Sequence, residues 1–569
     1  MQMQWNILQP DPACVKMLQS HLQCHPVTAA VLANRRITSP QSAGAFIHPA
    51  LDALPPPEAL TGMAQAVERI CAAIRRRQRI LIVGDYDVDG ITAAAILLLF
   101  LKSAEADVIC HLPHRIEEGY GFHPAQVTRL AVPRGVGLII TVDCGIGSDA
   151  AVAAAGRFGI DVIVTDHHAI GATLPAAHAV LNPKRDGESG PLYHLAGVGV
   201  AFYLTIALRA ALRAEGWWRL RPEPNLKALC DLVALGTVAD IVPLLGVNRV
   251  LTKAGLDQIN LLARPGIKTL LNANGTPPQP VGSEDIAFRL APRLNAAGRM
   301  AHAGLAFELL CAATEGEARK LAETLNALNQ RRQQIERQIC AEIVDRLESR
   351  PDLLKRKSLV LAGADWHLGV LGIVAAKLAA RYYRPVILIA AQGGVGKGSG
   401  RSIPGVDLYA ALSRCAPLLT SFGGHRLAAG LTLPTAAIEK LRSAFDEAVA
   451  DALPETLPGP QLNIDCEVRF DQITPELLTE LARLEPFGAD NPPPLFMARD
   501  VHVTTACLVG QSRHRRMVLC QADHCRTVGA IQFNQASECP GTTFFQRMAF
   551  RLQWNRYRGA REVQIVVEA

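Results

Sequence analysis

Three aspartates at alternate positions follow an apolar run near residue 80, and they are the first candidates for chemistry. The stretch ILIVGDYDVDG (80–90) contains Asp85, Asp87 and Asp89. Carboxylates this close together repel one another, and only protonation or a bound cation relieves the repulsion. The spacing leaves two interpretations open, a polar turn or part of a metal site.

Two other apolar runs end in residue types that bind metals. GLIITV is followed by Asp143, and IDVIVT is followed by Asp166, His167 and His168, while Asp240 stands alone in the apolar LVALGTVADIVPL. If the runs are parallel strands, their carboxyl ends meet at one edge of the sheet, where ligands bind. Oxygen ligands with one or two imidazoles suit Mn²⁺ or Mg²⁺. This many carboxylates can hold two ions, an arrangement suited to phosphate-ester hydrolysis.

The elements that would position these residues alternate along residues 65–250. Short apolar runs are separated by longer helical stretches, which predicts βαβ units and a parallel sheet. The predicted strands are RILIVG (79–84), ADVICHLP (106–113), GLIITVD (137–143), IDVIVTD (160–166) and HAVLNP (178–183).

The whole chain of 569 residues is too long for one core, so we expect an α/β multidomain protein. Residues 317–349 have few turn residues and helical periodicity, which predicts one long connecting helix. Apolar runs and Gly-rich loops follow in a smaller α/β block, and short alternating strands near the C-terminus indicate a small barrel or sandwich. The expected segments are a helical lead-in (1–64), a parallel-sheet domain (65–250), a helical region with the long helix (251–350), the smaller α/β domain (351–455) and a β-barrel domain (462–569).

Composition narrows the class of protein without identifying it. The net charge of +6 permits a nucleic-acid partner but does not prove one, because local clustering of charge matters more. The longest apolar runs fall short of the roughly 18 residues that a spanning helix needs, and the N-terminus lacks a secretory signal pattern. We therefore expect no membrane association and a cytoplasmic protein.

The fourteen cysteines are scattered and fit a reducing compartment. One set near the C-terminus, Cys520, His524, Cys525 and Cys539, could in principle bind zinc. Its spacing, C-x4-C-x13-C, is irregular for such a site, so buried thiols are the favoured interpretation.

Several motifs, taken together and in order, resemble the DHH phosphoesterase superfamily and, within it, the RecJ single-stranded-DNA exonucleases. The resemblance extends from about residue 65 to the C-terminus. The motifs are GDYDVDGIT (84–92), TVDCGI (141–146), TDHH (165–168), GTVAD (236–240), PRLNAAGRM (292–300), GKGSGRSI (396–403), FGGHRLAAGLTL (422–433) and PFGADNPPPLF (486–496).

The resemblance implies roles for individual residues around two Mn²⁺ or Mg²⁺ ions. Asp143 would bridge the ions, Asp166 would orient a histidine, and His168 would contact the scissile phosphate. The implied metal ligands are Asp85, Asp87, Asp89, Asp143, His167 and Asp240.

The resemblance also implies a DHHA1 substrate-binding domain and an OB-like nucleic-acid-binding domain. In GKGSGRSI the glycines would let the backbone approach a phosphate, while Ser399 and Arg401 donate hydrogen bonds to it. RHRRM (513–517) and WNRYRGAR (554–561) mix arginine with aromatic residues, a combination suited to single strands. The further candidates for substrate contacts are Arg115, Arg299, Gly423, Gly424 and His425.

The function implied is hydrolysis of single-stranded DNA from the 5′ end to mononucleotides, in DNA repair and recombination. The resemblance suggests a single-strand-binding protein and a helicase as partners, and we expect a monomer. Two alternatives stay open. One is a DHH phosphodiesterase of short oligoribonucleotides or cyclic dinucleotides, and the other is a non-catalytic scaffold that binds single-stranded DNA.

Overall fold

The computed structural model describes residues 4–188, 190–273, 280–453, 459, 461–510, 513–521, 526–534, 542–555 and 562–569. Within these residues the fold is α/β multidomain, with a parallel sheet, a long connecting helix, a smaller mixed sheet and a closed C-terminal barrel. The predicted fold class is therefore confirmed.

The N-terminal segment begins with a strand that the sequence analysis did not predict. Three helices follow it, and each has a proline in its first turn, where the missing N–H costs nothing. The elements are β1 (Gln4–Ile7), α1 (Pro12–Leu22), α2 (Pro26–Asn34) and α3 (Pro40–Ile47).

A five-stranded, all-parallel sheet in the order β3-β2-β4-β5-β6 forms the centre of the next domain. The strand order reverses beside β2, which creates the switch point where such sheets bind ligands. The elements are α4 (Met63–Arg75), β2 (Arg79–Gly84), α5 (Val88–Ser103), β3 (Val108–His111), α6 (Pro124–Gln126), β4 (Val136–Val142), α7 (Asp149–Arg157), β5 (Asp161–Thr165), β6 (Ala179–Leu181), α8 (Gly197–Ala214) and α9 (Cys230–Ala239).

Buried helices cover the inner face of this sheet. α5 is apolar on all sides and packs against α8 and α9, so its N-terminus lies deep in the domain. α8 is also the one helix of the described residues that is long and apolar enough to cross a membrane. Because 67% of that helix is buried within the protein, its composition is explained by its place in the core.

A helical region connects this domain to the next and ends in one helix of 35 residues. The long helix was predicted within residues 317–349 and runs from Glu315 to Ser349, after a capping box at Thr314. The elements are α10 (Gly246–Asn260), α11 (Pro265–Asn272), α12 (Ser283–Asp285), α13 (Ala291–Met300), α14 (Gly304–Cys311) and α15 (Glu315–Ser349).

The second α/β domain contains a mixed sheet in the order β10-β11-β9-β8-β7. Only the pairing of β7 with β8 is parallel. The elements are β7 (Leu359–Gly363), α16 (Leu368–Tyr382), β8 (Val386–Gln392), β9 (Val395–Arg401), α17 (Leu408–Arg414), β10 (Ser421–Gly424), β11 (Ala428–Pro434) and α18 (Ile438–Ala452).

The sequence analysis expected Gly-rich loops in this domain, but the Gly-rich segment GKGSGR forms the central strand β9. Gly396, Gly398 and Gly400 are needed for packing. A Cβ at these positions would lie 2.9–3.1 Å from side chains of Ile389 or Leu408. The intervening residues Lys397, Ser399 and Arg401 therefore point to the other face of the sheet.

The C-terminal domain is a five-stranded barrel, closed by the pairing of β14 with β17. Its core is shared with the N-terminal helices, because Leu18, Leu32 and Phe46 pack in the same cluster as Phe496 and Phe550. β1 also pairs with β12 in a separate two-stranded sheet. The elements are β12 (Gln461–Ile464), β13 (Cys466–Glu467), α19 (Pro475–Ala482), β14 (Phe496–Val509), β15 (His514–Gln521), β16 (Thr527–Gln532), β17 (Phe544–Asn555) and β18 (Glu562–Val567).

A candidate metal centre beside an arginine cluster

The turn after β2 directs two of its three aspartates into the protein. Asp87 is the N-cap of α5, and its carboxylate accepts hydrogen bonds from the N–H groups of Asp89 (3.0 Å) and Gly90 (3.2 Å). Gly90 is required because a Cβ there would lie 2.6 Å from the Asp85 nitrogen. Asp85 and Asp89 are consequently buried against the end of the sheet.

Asp89 is fixed by the start of α8. Its carboxylate accepts hydrogen bonds from the N–H groups of Gly197 (2.7 Å) and Val198 (2.8 Å). The free N–H groups of a helix N-terminus stabilise a negative charge. Gly236 makes room for this carboxylate, since a Cβ there would lie 2.8 Å from Asp89 Oδ1.

Asp143 and Asp240 approach the same point from two other elements. Asp143 directly follows β4 and has φ of 59°, a conformation that costs free energy in a residue other than glycine and is often retained at functional sites. Asp240 is the C-cap of α9 and is followed by Ile241, which has φ of 61° and is 75% exposed. Backbone strain is thus stored on two sides of the site.

These side chains form three overlapping groups in which the potential ligand atoms lie within 4.8 Å of one another. Asp143 belongs to two of the groups and His167 also belongs to two. His167 Nε2 lies 3.2 Å from Asp143 Oδ1, 3.5 Å from Asp240 Oδ2 and 3.8 Å from Asp89 Oδ2. The groups are Asp143, His167 and His168; Asp89, His167 and Asp240; and Asp85, Asp87 and Asp143.

Charge and hydrogen bonding at the site fit bound cations. Asp85 Oδ1, Asp143 Oδ1 and His167 Nε2 are buried and have no hydrogen-bond partner among the described residues. Burial and neighbouring carboxylates raise the pKa of Asp143 well above its usual range, and they raise that of Asp240 to about 8. Because buried like charges are costly unless paired, these residues suit divalent ions that prefer oxygen ligands.

The two histidines of TDHH have opposite electrostatic environments. Burial, together with the neighbouring His168, lowers the pKa of His167 to about 3, which keeps its imidazole neutral and able to act as a ligand. Burial also acts to lower the pKa of His168, but the hydrogen bond with Asp166 and the negative charges of Asp166, Asp240 and Asp87 together outweigh it and raise that pKa to about 9. His168 is therefore a cation at neutral pH and remains partly exposed.

Asp166 holds this second histidine in place. Its Oδ1 lies 2.8 Å from His168 Nδ1 and accepts a hydrogen bond from the His167 N–H at 2.7 Å, while Oδ2 accepts one from the Ile146 N–H at 2.9 Å. Burial acts to raise the pKa of Asp166, but the interaction with His168 helps to lower it below its usual value. The histidine ring that Asp166 orients is thus the ring of His168.

The second α/β domain reaches the site through the turn after β10. The ring of His425 stacks on the ring of His168, with centroids 6.0 Å apart and an angle of 13° between the planes. Gly424 has φ of 139°, and a Cβ there would lie 2.4 Å from the Ala428 carbonyl oxygen, so glycine is required. Gly423 needs no such space, because nothing lies within 4 Å of its Cβ position.

Arginines from three segments form a positively charged cluster beside Asp87. Burial, followed by the charges of Arg115 and Arg401, lowers the pKa of Arg299 to about 9. Arg401 Nη1 lies 3.3 Å from Ser399 Oγ, and the Arg115 guanidinium lies 3.8 Å from the centroid of the Tyr86 ring. All three arginines are half-buried, and guanidinium groups that repel one another in such a place favour a bound anion such as a phosphate.

Sequence reasoning missed two residues that contact the centre. The Tyr120 hydroxyl lies 3.2 Å from His168 Nδ1 and 3.3 Å from the Asp143 carbonyl oxygen. The Lys184 ammonium donates a hydrogen bond to the carbonyl oxygen of His167. Tyr120 could have been suggested by its closeness in the sequence to Arg115, which was already a candidate for a phosphate contact. No sequence motif suggested Lys184.

The basic segments of the barrel differ in exposure. Arg515 is buried and donates a hydrogen bond to the Thr542 carbonyl oxygen (2.7 Å), so it cannot track a nucleic-acid backbone, while Arg516 is exposed. Two partly exposed phenylalanines, Phe533 and Phe544, lie against histidine rings. Residues 556–561 of WNRYRGAR lie outside the described residues, as do His524, Cys525 and Cys539 of the zinc alternative.

Three family models match the chain in order. They are the DHH family N-terminal domain over residues 79–237, the DHHA1 domain over 355–451 and the RecJ OB domain over 464–569. The fold and the site thus define a DHH-family protein with a DHHA1 domain and an OB domain.

Whole-chain comparisons narrow the family further. A curated relative from Salmonella typhimurium, the single-stranded-DNA-specific exonuclease RecJ, is 41% identical over 530 residues, which cover 90% of this chain and 91% of the relative. The crystal structure of RecJ from Thermus thermophilus in complex with Mn²⁺ has a TM-score of 0.84 and 30% identity over 100% of this chain and 79% of that one. The Mg²⁺ complex has a TM-score of 0.78 and 28% identity, with coverage of 100% and 78%. The chain belongs to the RecJ family of single-stranded-DNA-specific exonucleases.

Proposed function

We propose that this protein is a metal-dependent exonuclease that hydrolyses single-stranded DNA from the 5′ end and releases mononucleotides. The observation that carries the proposal is a group of five carboxylates and two histidines directly beside a cluster of half-buried arginines. The first set suits divalent cations and the second suits a phosphate. Membership of the RecJ family supports single-stranded DNA as the substrate.

Two Mn²⁺ or Mg²⁺ ions are the cofactors that fit this donor set, and RecJ from Thermus thermophilus has been crystallised in complex with each of these metals. When bound, such ions activate water at neutral pH and offset the negative charge that develops on the phosphate oxygens. Asp143 is the proposed bridging ligand, because it is shared between two of the ligand groups. The other proposed ligands are Asp85, Asp87, Asp89, His167 and Asp240.

His168 is the proposed contact to the scissile phosphate. It is protonated at neutral pH, it is held by Asp166, and its ring lies between the metal ligands and His425. A positioned imidazolium next to a phosphate stabilises charge as it develops in the transition state. Asp166 keeps the imidazolium charged and oriented, and its role is therefore positioning.

The arginine cluster is the proposed site for the terminal 5′-phosphate. Arg115, Arg299 and Arg401, with the Ser399 hydroxyl, would hold that phosphate at a fixed distance from the metal centre. A fixed distance between an end-recognition site and the reacting phosphate leads to release of units of constant size. His425, with Gly423 and Gly424 beside it, would line the same cleft from the second domain.

The barrel is the proposed contact surface for the strand beyond the cleft. This surface argues against a substrate of two or three nucleotides, and the complete ligand set argues against a scaffold without activity.

The test uses a 5′-phosphorylated, internally labelled single-stranded oligonucleotide incubated with Mn²⁺, with Mg²⁺ or with chelator, and the same sequence as a blunt duplex. We expect metal-dependent shortening of the single strand from its 5′ end, with mononucleotide products and an intact duplex. Binding without cleavage under either metal would instead identify a scaffold. Cleavage restricted to di- and trinucleotides would identify a phosphodiesterase of small substrates.

We further propose that the protein acts as a cytoplasmic monomer, with a single-strand-binding protein and a helicase as partners. The monomer is supported by a centre whose residues all come from one chain, including His425 from the second domain. Light scattering during size-exclusion chromatography checks the oligomeric state, and a mass above that of one chain would contradict it. Pull-down with the two partners checks the association.

A further inference from the structure

One loop carries both Arg115 and Tyr120 to the centre. It connects β3 to α6, and it contains Gly119 and Gly121, which have φ of 84° and 95°. Arg115 lies over the Tyr86 ring within the arginine cluster, while the Tyr120 hydroxyl contacts His168. The conformation of this single loop therefore sets the position of a proposed phosphate contact and of a contact to the catalytic histidine.

The carboxylate of Glu118 holds this loop closed. Its Oε1 accepts a hydrogen bond from the His114 N–H at 2.8 Å, and its Oε2 lies 2.9 Å from His111 Nε2. Gln126 Nε2 donates to the same Oε2 at 3.5 Å. Glu118 thus joins the end of β3, the start of the loop and α6, and the backbone N–H groups of Glu118 and Gly119 also donate to the His114 carbonyl oxygen.

Glu117, its neighbour, offers a natural comparison. The Glu117 side chain is 79% exposed and only approaches His114 Nδ1 at 4.0 Å, whereas the Glu118 side chain is 34% exposed and has three partners. The loop thus contains two adjacent glutamates of equal charge, and of these two Glu118 forms the hydrogen bonds that connect parts of the loop.

We propose that Glu118 is a positioning residue, which keeps Arg115 and Tyr120 in reach of the substrate's terminal phosphate and of His168. It touches neither the metal ligands nor, in the proposed binding mode, the DNA. The inference rests on the proposed function, because it assigns Glu118 a part in that reaction. It also explains why a short exposed loop needs an ionised carboxylate with three hydrogen-bond partners.

Replacement of Glu118 should affect end recognition more than folding. We expect Glu118→Ala to lower kcat/KM for a 5′-phosphorylated strand by about 10- to 100-fold, the scale of a misplacement of about 1 Å in a reacting group. The ratio of kcat/KM for 5′-phosphate and 5′-hydroxyl strands should fall towards one, because Arg115 no longer meets the phosphate. Glu117→Ala should leave both quantities unchanged, and His111→Ala should change them in the same direction as Glu118→Ala but less.

A second measurement separates a positioning role from a structural one. The rise in Tm on addition of Mn²⁺ should be the same in Glu118→Ala as in the wild type, because the ligands are untouched. Wild-type kinetics in Glu118→Ala, or an equal loss on both strands together with a lost Mn²⁺ response, would overturn the inference. A failure of the proposed function would be seen in the wild-type protein itself. That protein would then not cleave single-stranded DNA, or would cleave 5′-phosphate and 5′-hydroxyl strands with equal kcat/KM.

Discussion

Asp143 occupies the central position among the proposed ligand residues at the cost of an unfavourable backbone conformation. It has φ of 59°, and a Cβ at the neighbouring Gly197 would lie 2.6 Å from its Oδ1. Both features hold the carboxylate between the group that contains Asp85 and the group that contains His167. A ligand shared by two ions affects both of them when it is removed.

We therefore predict that Asp143→Ala abolishes hydrolysis, with kcat lowered by more than about 1,000-fold. Asp149→Asn is the matched control, because Asp149 is an exposed aspartate a short way further along the chain. Single-turnover cleavage of a labelled single strand measures both variants. Activity of Asp143→Ala within about 10-fold of the wild type would refute the bridging role.

Protonation of the buried carboxylates links stability to pH and to metal. Burial, followed by repulsion from neighbouring carboxylates, raises the pKa of Asp89 to about 7 and that of Asp240 to about 8. The folded state without metal therefore holds these protons more tightly than the unfolded state does. The stability that they contribute is present at about pH 4 and is lost as the pH rises through 7 to 8.

Because metal binds the deprotonated carboxylates, Mn²⁺ should raise Tm more at about pH 8 than at about pH 5.5. Differential scanning fluorimetry with Mn²⁺ and with chelator measures the two shifts. Asp143→Asn should raise the Tm of the chelated protein at about pH 8, since it removes one buried negative charge. A Tm shift independent of pH would argue against these carboxylates as the ligands.

At the scale of elements, α15 fixes the distance between the two α/β domains. Its first half packs into the core of the parallel-sheet domain through Ala322 and Leu325, and its second half packs into the other domain through Ile339 and Ile343. At 1.5 Å per residue its 35 residues span about 52 Å. A rigid helix of this kind keeps His425 and Arg401 in register with the metal centre.

The midpoint of α15 contains a buried ion pair, in which Arg332 Nη1 donates to Glu336 Oε2 at 2.8 Å. Glu336 also pairs with the Lys377 ammonium of α16. We predict that Glu336→Gln lowers the free energy of unfolding by about 3 kcal/mol, because Arg332 is left buried without its counter-charge. Urea denaturation measures the loss, and Glu323→Gln, an exposed change on the same helix, should show none.

At the scale of the whole molecule, a buried arginine is one of the residues that anchor the barrel to the helical region. Arg249 of α10 is 2% exposed and donates to carbonyl oxygens of Phe46 (2.7 Å), Leu484 (2.9 Å) and Glu485 (2.8 Å). Burial lowers its pKa to about 10. One side chain thus joins the helical region, the N-terminal segment and the loop that leads into the barrel.

We predict that Arg249→Met loosens this junction and weakens binding of long strands at least about 10-fold, with little change in cleavage of short ones. Fluorescence anisotropy with strands of different length measures the effect. Lys253→Met is the control on the same helix, since Lys253 forms an exposed ion pair with Asp257. Equal loss of affinity for short and long strands would contradict a role in placing the barrel.

The shared core also decides how a barrel deletion behaves. Removal of residues 462–569 alone would expose Leu18, Leu32 and Phe46, which pack against the barrel. The point variant at Arg249 is therefore the cleaner test.

The local elements and the residue types of the site could be predicted from short stretches of sequence. The apolar run RILIVG was predicted as a strand over 79–84 and forms β2 over the same residues. A short apolar stretch that ends at a polar turn is typical of a buried strand. The long helix was equally predictable from its periodicity. The carboxylates that follow successive strands could also be identified as a group, because the carboxyl ends of parallel strands lie at one edge of the sheet.

Which distant segments of the chain meet became apparent only from the folded protein. The N-terminal helices join the barrel core, a glycine-rich stretch becomes the central strand β9, and Tyr120 contacts His168 from 48 residues away. These contacts depend on long-range packing and on the space that particular glycines leave, and no local pattern in one sequence specifies either. The residue types that could bind metal and phosphate can thus be recognised in short sequence motifs. The relative positions of these residues depend on contacts between segments far apart in the chain.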